Sequence, residues 1–319
     1  MNGESSSRRA VLVSALFDLA GRENNRRRRT IEEYLELGKI VLDLDENIVF
    51  YADPEPAAVI EAERKARGLA DRTVVRVVAF EDIRTHARLG RTAEAARGRP
   101  IRNANPDKDT PLYRLLTWSK FEALARTIDA SPFPMERAAW LDFGIGHVAR
   151  AKYWPVERPF RRLSRRIRLL RLRPFTGASL GEPDEYFSFL RGLAGGGLIG
   201  GGPAEVSWLC DRVFEEVDRA LADGWAPLEE QVIPLIAARD PDAFEFYAGD
   251  YSHILDNYFR PHGSAENLLF QLRVYRKAGE LAAARRLGGE IVASLDEGCF
   301  DADSATTAAL VGELALVSG

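Results

Sequence analysis

The stretch Ala139-Trp140-Leu141-Asp142-Phe143-Gly144-Ile145-Gly146-His147 sets one carboxylate at the end of an apolar run, then glycines and a histidine. It reads as a buried strand that delivers Asp142 to a sheet edge. Open α/β sheets bind ligands at the carboxyl ends of their strands. A carboxylate there can hold a hard divalent cation, which in turn clamps phosphate oxygens. A strand ending in a turn, with Asp142 capping a backbone group, fits the same residues. Asp18 and Asp53 end two further apolar runs, where they could meet a base or ribose or simply cap loops. The other chemical landmark is Ala194 to Gly202, with six glycines in nine residues. Such a run is costly unless the backbone must come close to something. No Gly-Lys-Ser/Thr follows, so it is not a P-loop, and it does not match a dinucleotide fingerprint. We expect a glycine-lined strand and turn against which a ligand lies, Gly196 and Gly197 included. A flexible loop is the alternative.

The elements that must position these residues alternate. Val11 to Phe17 and Asn47 to Asp53 are short apolar runs, and Thr73 to Ala79 is β-branched. All three read as strands. Thr30 with Glu33 three residues on predicts a capping box, opening a helix to about Leu42 behind a basic loop, Arg26 to Arg29. Pro56 to Arg67 reads as an exposed helix. The pattern is that of a parallel sheet with crossover helices. Residues 86 to 108 are polar and helix-prone, then loop. Thr110-Pro111 predicts a helix start, with an apolar face from Leu112 to Ile128; Tyr113 and Lys120 lie two turns apart on another face. Pro203 opens a helix that makes Cys210 core packing. Phe244 to Tyr247 can form a strand, Gly249-Asp250-Tyr251 a turn, and the chain from Ser264 is helical. Arg158 to Arg173 interleaves arginine with apolar residues. It is either an amphipathic segment with paired or solvated arginines or an anion-binding edge.

With 319 residues and 46% hydrophobic content the chain can build a sizeable core. Its net charge of −4 argues against a general nucleic-acid binder. Two cysteines, Cys210 and Cys299, make no disulfide framework and point to a reducing compartment. Residues 1–9 are polar, with disorder expected and no signal-peptide core. No apolar run approaches the ~20 residues that span a bilayer. The expected location is cytoplasmic, and peripheral membrane contact stays open.

In this order, Val13-Ser14-Ala15-Leu16-Phe17-Asp18, Glu33-Tyr34-Leu35, Val49-Phe50-Tyr51-Ala52-Asp53, Thr110 to Tyr113 with Trp118 to Phe121, Trp140 to Gly144 and Gly195 to Gly202 resemble the HtrL/YibB family of bacterial proteins, read as glycosyltransferases. The resemblance covers roughly residues 11 to 260. It implies a single GT-A-like α/β domain over 10–262, with a mixed, mainly parallel central sheet; the helical residues beyond it (263–319), which carry no family motif, are expected to form a C-terminal extension packed on it. It implies sugar transfer from a nucleotide-sugar donor to an acceptor, with Asp18, Arg22, Asp53, Tyr113, Lys120, Gly196 and Gly197 toward the donor. Many GT-A enzymes hold Mn²⁺ or Mg²⁺ with Asp-x-Asp; here the place reads Asp142-Phe143-Gly144. One carboxylate can serve if water, phosphate and another side chain complete an octahedron, and His147 and His253 are the helpers to consider. Arg22, Lys120 or the 158–173 arginines could assist or replace the metal at the departing diphosphate. The pair Glu229-Glu230, opening a helix before Gln231, resembles the acidic motif of related transferases and makes either glutamate the candidate general base of an inverting reaction, with Asp250 second; glutamates in a first helical turn are also favoured by the macrodipole alone. A non-glycosyl transferase or lyase on the same scaffold, and a non-catalytic module docking through its basic segment, are the other classes.

Overall fold

The structure is a computed structural model that describes residues 10–23, 28–149, 165–175, 177–249, 251–255, 258, 265–277, 279–296 and 304–318. The expectation of disorder over residues 1–9 lies outside these. Seven strands form one sheet: β1 (Ala10–Leu16), β2 (Asn47–Ala52), β3 (Thr73–Val77), β4 (Arg137–Leu141), β5 (Ile167–Arg171), β6 (Ala194–Gly201) and β7 (Phe244–Ala248). Their order is β3-β2-β1-β4-β6-β5-β7. Every pairing is parallel except those of β6 with β4 and β5. This is the mixed, mainly parallel α/β sheet that was expected.

Parallel neighbours need long crossovers. Helices α1 (Leu19–Glu23), α2 (Ile31–Leu37) and α3 (Lys39–Leu42) join β1 to β2, and α4 (Pro54–Ala66) joins β2 to β3. Then α5 (Leu89–Gly98) and α6 (Pro111–Asp129) carry the chain back to β4, on the other side of β1. Short α7 (Gly177–Leu180) and α8 (Pro183–Phe187) precede β6, and α9 (Pro203–Ala222) and α10 (Glu229–Arg239) follow it. Side chains alternate across a strand, so each central strand feeds two cores. Val11, Val13, Val49 and Trp140 pack with Trp118 and Phe121 of α6 and Val213 of α9, whereas Leu12, Ile48, Phe50 and Leu141 pack with Leu42 of α3 and Ile60 of α4. Being covered on both faces is why these strands read as near-continuous apolar runs. Cys210 is buried in the first core, where burial pushes its thiol up.

The capping box at Thr30 forms: its hydroxyl accepts from the Glu33 N–H, and the Glu33 carboxylate from the Thr30 N–H. The helix expected from Thr30 to Leu42 nonetheless breaks at Gly38. A Cβ there would stand 2.3 Å from the Phe143 ring, so the glycine lets the segment after β4 approach. The helix expected as exposed at 56–67 begins at Pro54 and buries a face containing Ile60 and Arg64. Arg64 donates to the carbonyls of Leu42, Leu44 and Glu46; a helix end leaves such carbonyls without helical partners. The basic 158–173 segment is described from Arg165, and there it is a strand. Arg168 pairs with Glu245, and Arg171 bonds Gln271 at 2.8 Å and lies over Tyr275. Arg168 thus has the acidic partner of the first reading, whereas Arg171 is buried against a neutral side chain; residues 158–164 lie outside the described residues. Helices Ala265–Lys277, Leu281–Asp296 and Ser304–Ser318 share a separate apolar cluster around Leu272, Leu287, Ile291 and Leu310. No helix among the described residues is long and apolar enough to cross a membrane.

Candidate active site

Strand order runs outward from β1 through β2 to β3, then resumes on the far side of β1 with β4. The connections leaving β1 and β4 therefore part in opposite directions and leave a crevice, the place where open α/β sheets take ligands. A cavity of about 400 Å³ opens there, within the usual range for small-molecule sites. The segment after β1 (Phe17 to Ala20) and the segment after β4 (Asp142 to Gly144, with His147) form two of its walls. Ser14 of β1 donates to the Leu141 carbonyl at 2.7 Å, which ties the two strands at the floor.

Three charged side chains meet on that floor. Lys120, 3% exposed, donates to Glu229 at 2.8 Å, to the Gly196 carbonyl at 3.0 Å and toward Asp142 Oδ1 at 3.5 Å. Burial works against its charge, but Asp142 and Glu229 outweigh burial and hold the ammonium protonated above its ordinary range. Asp142 Oδ1 also accepts from Trp140 Nε1. Its Oδ2 has no hydrogen-bond partner among the described residues, and the side chain is 39% exposed. The floor is assembled locally as well as at long range. Trp118 and Arg114 of α6 donate to the carbonyls of Pro227 and Ala226, which docks the start of α10 beside Lys120. Gln231 reaches back to the Leu228 N–H at 3.1 Å and so caps α10 where Glu229 begins it.

Glu230 stands behind this floor and is not on the cavity lining. Burial and the Glu229 charge push its carboxyl up to about 7, against the opposing hydrogen bond from Tyr251 and the charge of Lys120. Tyr113 does line the cavity, its hydroxyl held well above the ordinary range by burial and then by Glu229, Asp142 and Glu230.

The mouth was not foreseen from the sequence. Arg28, Arg29 and Lys108 line it. Arg28 bonds Glu23, the Lys108 carbonyl (2.9 Å) and the Thr110 hydroxyl (2.7 Å), and lies over the Tyr113 ring. It thereby clasps the 28–30 loop to the loop before α6. Arg28 and Arg29 sit directly before the Thr30 cap, a signal that was available; Lys108 lies in a polar stretch that offered none.

The structure thus brings Asp18, Tyr113, Lys120, Asp142, His147 and Glu229 to one cavity. Arg22 and Asp53 are not on it: Arg22 forks onto Asp53 at 2.7 and 2.8 Å and also pairs with Glu81. Each consumes the other's charge. Gly196 and Gly197 are not on the lining either. The room they leave is taken by the chain's own side chains, since a Cβ at Gly196 would stand 2.7 Å from Glu229 and one at Gly197 2.8 Å from Ile145 and 3.3 Å from Asp142. Asp250 and the side chain of His253 lie outside the described residues. Among the described residues no three His, Cys, Asp or Glu side chains group as metal ligands. His147 Nδ1 is engaged with the Gly144 carbonyl at 2.6 Å, and an ammonium already stands between Asp142 and Glu229. Among the described residues this donor set does not fit a resident Mn²⁺ or Mg²⁺.

A family model described as "Bacterial protein of unknown function (HtrL_YibB)" matches residues 8–260. The chain belongs to the HtrL/YibB family. The match spans both walls and the floor of the cavity, so the site is a feature of the HtrL/YibB portion and not of the C-terminal helices. Among solved structures, that of mouse xyloside xylosyltransferase 1 in its apo form is similar, with a TM-score of 0.41 and 15% sequence identity, covering 80% of this chain and 94% of that one. No curated protein matches this HtrL/YibB chain significantly.

Proposed function

We propose that this chain is a glycosyltransferase that takes a nucleotide-sugar into the cavity between β1 and β4 and passes the sugar to an acceptor nucleophile. The observation that carries the reading is the coincidence, at the switch point of the sheet, of a cationic mouth with a floor carboxylate whose Oδ2 is unpaired. The bond from the sugar's anomeric carbon to the diphosphate breaks as the bond to the acceptor oxygen forms, and the acceptor's proton moves to a carboxylate. Asp142 has the free oxygen for that proton. Glu229 is occupied by Lys120 and orients it, and the Lys120 ammonium stands between the two floor carboxylates. Developing charge on the leaving diphosphate is met by fixed cations and N–H donors.

A thermal-shift panel of UDP, GDP, CDP, ADP and dTDP, each with Mn²⁺, Mg²⁺ or EDTA, tests the reading. A ligand bound only by the folded chain raises the midpoint by mass action. One nucleotide standing out is the expected result. A flat panel would remove the nucleotide-sugar reading.

A further inference from the structure

Resting on that reading, we infer that Arg29 and Lys108 form a diphosphate subsite at the cavity mouth, and that this pair, without a bound divalent cation, carries the donor's pyrophosphate. Both side chains are exposed on the cavity lining. Neither has a carboxylate partner among the described residues. Each is instead laid against an aromatic ring, Arg29 over Tyr34 at 6.0 Å and Lys108 over Tyr113 at 5.3 Å. Such stacking steers a cation without neutralising it. Arg28 clasps the two loops that bear them, so they cannot drift apart independently. Scattered surface cations are normally just solvated, but cations gathered on a concave, low-dielectric wall focus their field into it.

The floor makes the mouth necessary. Lys120 has three protons and three acceptors, namely Glu229, Gly196 and Asp142, so it has no donor left for a phosphate. The floor's other charged groups are carboxylates, which repel an anion. Asp18 and Asp107 on the same lining narrow the attractive region further. A diphosphate is therefore drawn to the part of the lining where, among the described residues, two cations lack carboxylate partners. An arginine fork grips phosphate oxygens bidentately and a lysine adds a point charge.

The test is calorimetric titration of the full chain with inorganic pyrophosphate in EDTA. Arg29→Gln and Lys108→Gln should each weaken binding about tenfold, the loss expected for one charge-assisted contact, and the double variant more. Binding should fall as salt rises, and the unliganded melting midpoints of the variants should match the wild type. Pyrophosphate bound equally by wild type and double variant, bound only once Mn²⁺ is added, or not bound at all would overturn the subsite. A nucleoside diphosphate that shifts wild type and double variant alike overturns the subsite but leaves the transferase reading. Pyrophosphate held by the mouth beside a flat nucleotide panel does the reverse.

Discussion

β2 and β4 each hand the chain to an aspartate, and the two aspartates end in opposite chemistry. Asp53, 6% exposed, accepts from the Asp18 N–H at 2.8 Å, both terminal nitrogens of Arg22, and the Phe80 N–H at 3.3 Å. Arg22 extends the network to Glu81, whose carboxyl its hydrogen bond pulls down to about 2. Every lone pair there has work in holding loops together. Asp142 engages Trp140 and Lys120 through one oxygen and keeps the other unpaired. The difference lies in the neighbours. β2 sits between β1 and β3, whose following segments fold over the same strand end and supply donors to Asp53. At β1 and β4 the following segments diverge, and among the described residues no backbone N–H reaches the Asp142 carboxylate. The same local sequence signal thus becomes a staple or an open ligand group according to whether the adjoining connections converge or part.

The comparison breaks most severely at Lys120. Lys120→Met keeps the length and removes the charge, leaving Glu229 (6% exposed) and Asp142 uncompensated. Urea melts should show a loss of about 3–5 kcal/mol, largely recovered in the Lys120→Met, Glu229→Gln double variant. A single variant as stable as the wild type would mean the floor charges are solvated after all. The contrast itself is sharpened by paired substitutions. Asp53→Asn should cost about 2 kcal/mol, from weakened charge-assisted bonds, while leaving the nucleotide-induced thermal shift intact. Asp142→Asn should change stability by less than about 1 kcal/mol yet lower donor turnover roughly a hundredfold or more. If the two variants exchanged phenotypes, the assignment of staple and ligand group would be reversed.

The remaining effect is read in pH. The folded chain holds the Glu230 proton up to about 7, whereas the ordinary value is 4.5. Between those values the folded state binds more protons than the unfolded one, so this group costs stability as pH rises through the window. Glu230→Gln removes that cost. The variant should match wild type near pH 5 and exceed it by about 3 kcal/mol at pH 8. A difference independent of pH would place Glu230 in water.

Most of the sheet was legible because its signals are local. β1, β2, β3 and β4 announce themselves as apolar runs, and Thr30 and Thr110-Pro111 announce helix starts, each within a few residues of chain. Asp142 was legible for the same reason. What escaped depends on contacts between distant segments. Lys120 meets Glu229 across 109 positions and Arg22 meets Asp53 across 31; nothing in either neighbourhood encodes the partner. Gly195 to Gly202 was legible as a demand for space, but not what fills it: Glu229, Asp142 and Tyr258 take room that looked reserved for a ligand. Arg64 looked like one more surface cation, since its burial depends on where α3 ends. Family resemblance was legible from the order of the motifs, and the match over residues 8–260 bears it out.

Helix α6 has a further consequence. Thr110 caps it at the mouth, Tyr113 underlies Lys108, and Lys120 ends on the floor. Seven residues separate the last two, about 10 Å of helix. The depth of the cavity is therefore a ruler marked in helical residues. One residue inserted between Tyr113 and Lys120 would swing the ammonium about 100° around the axis, away from both carboxylates, for only about 1.5 Å of added length. Descendants of this chain can retune their ligand by exchanging side chains along the ruler, but they cannot gain reach a single residue at a time.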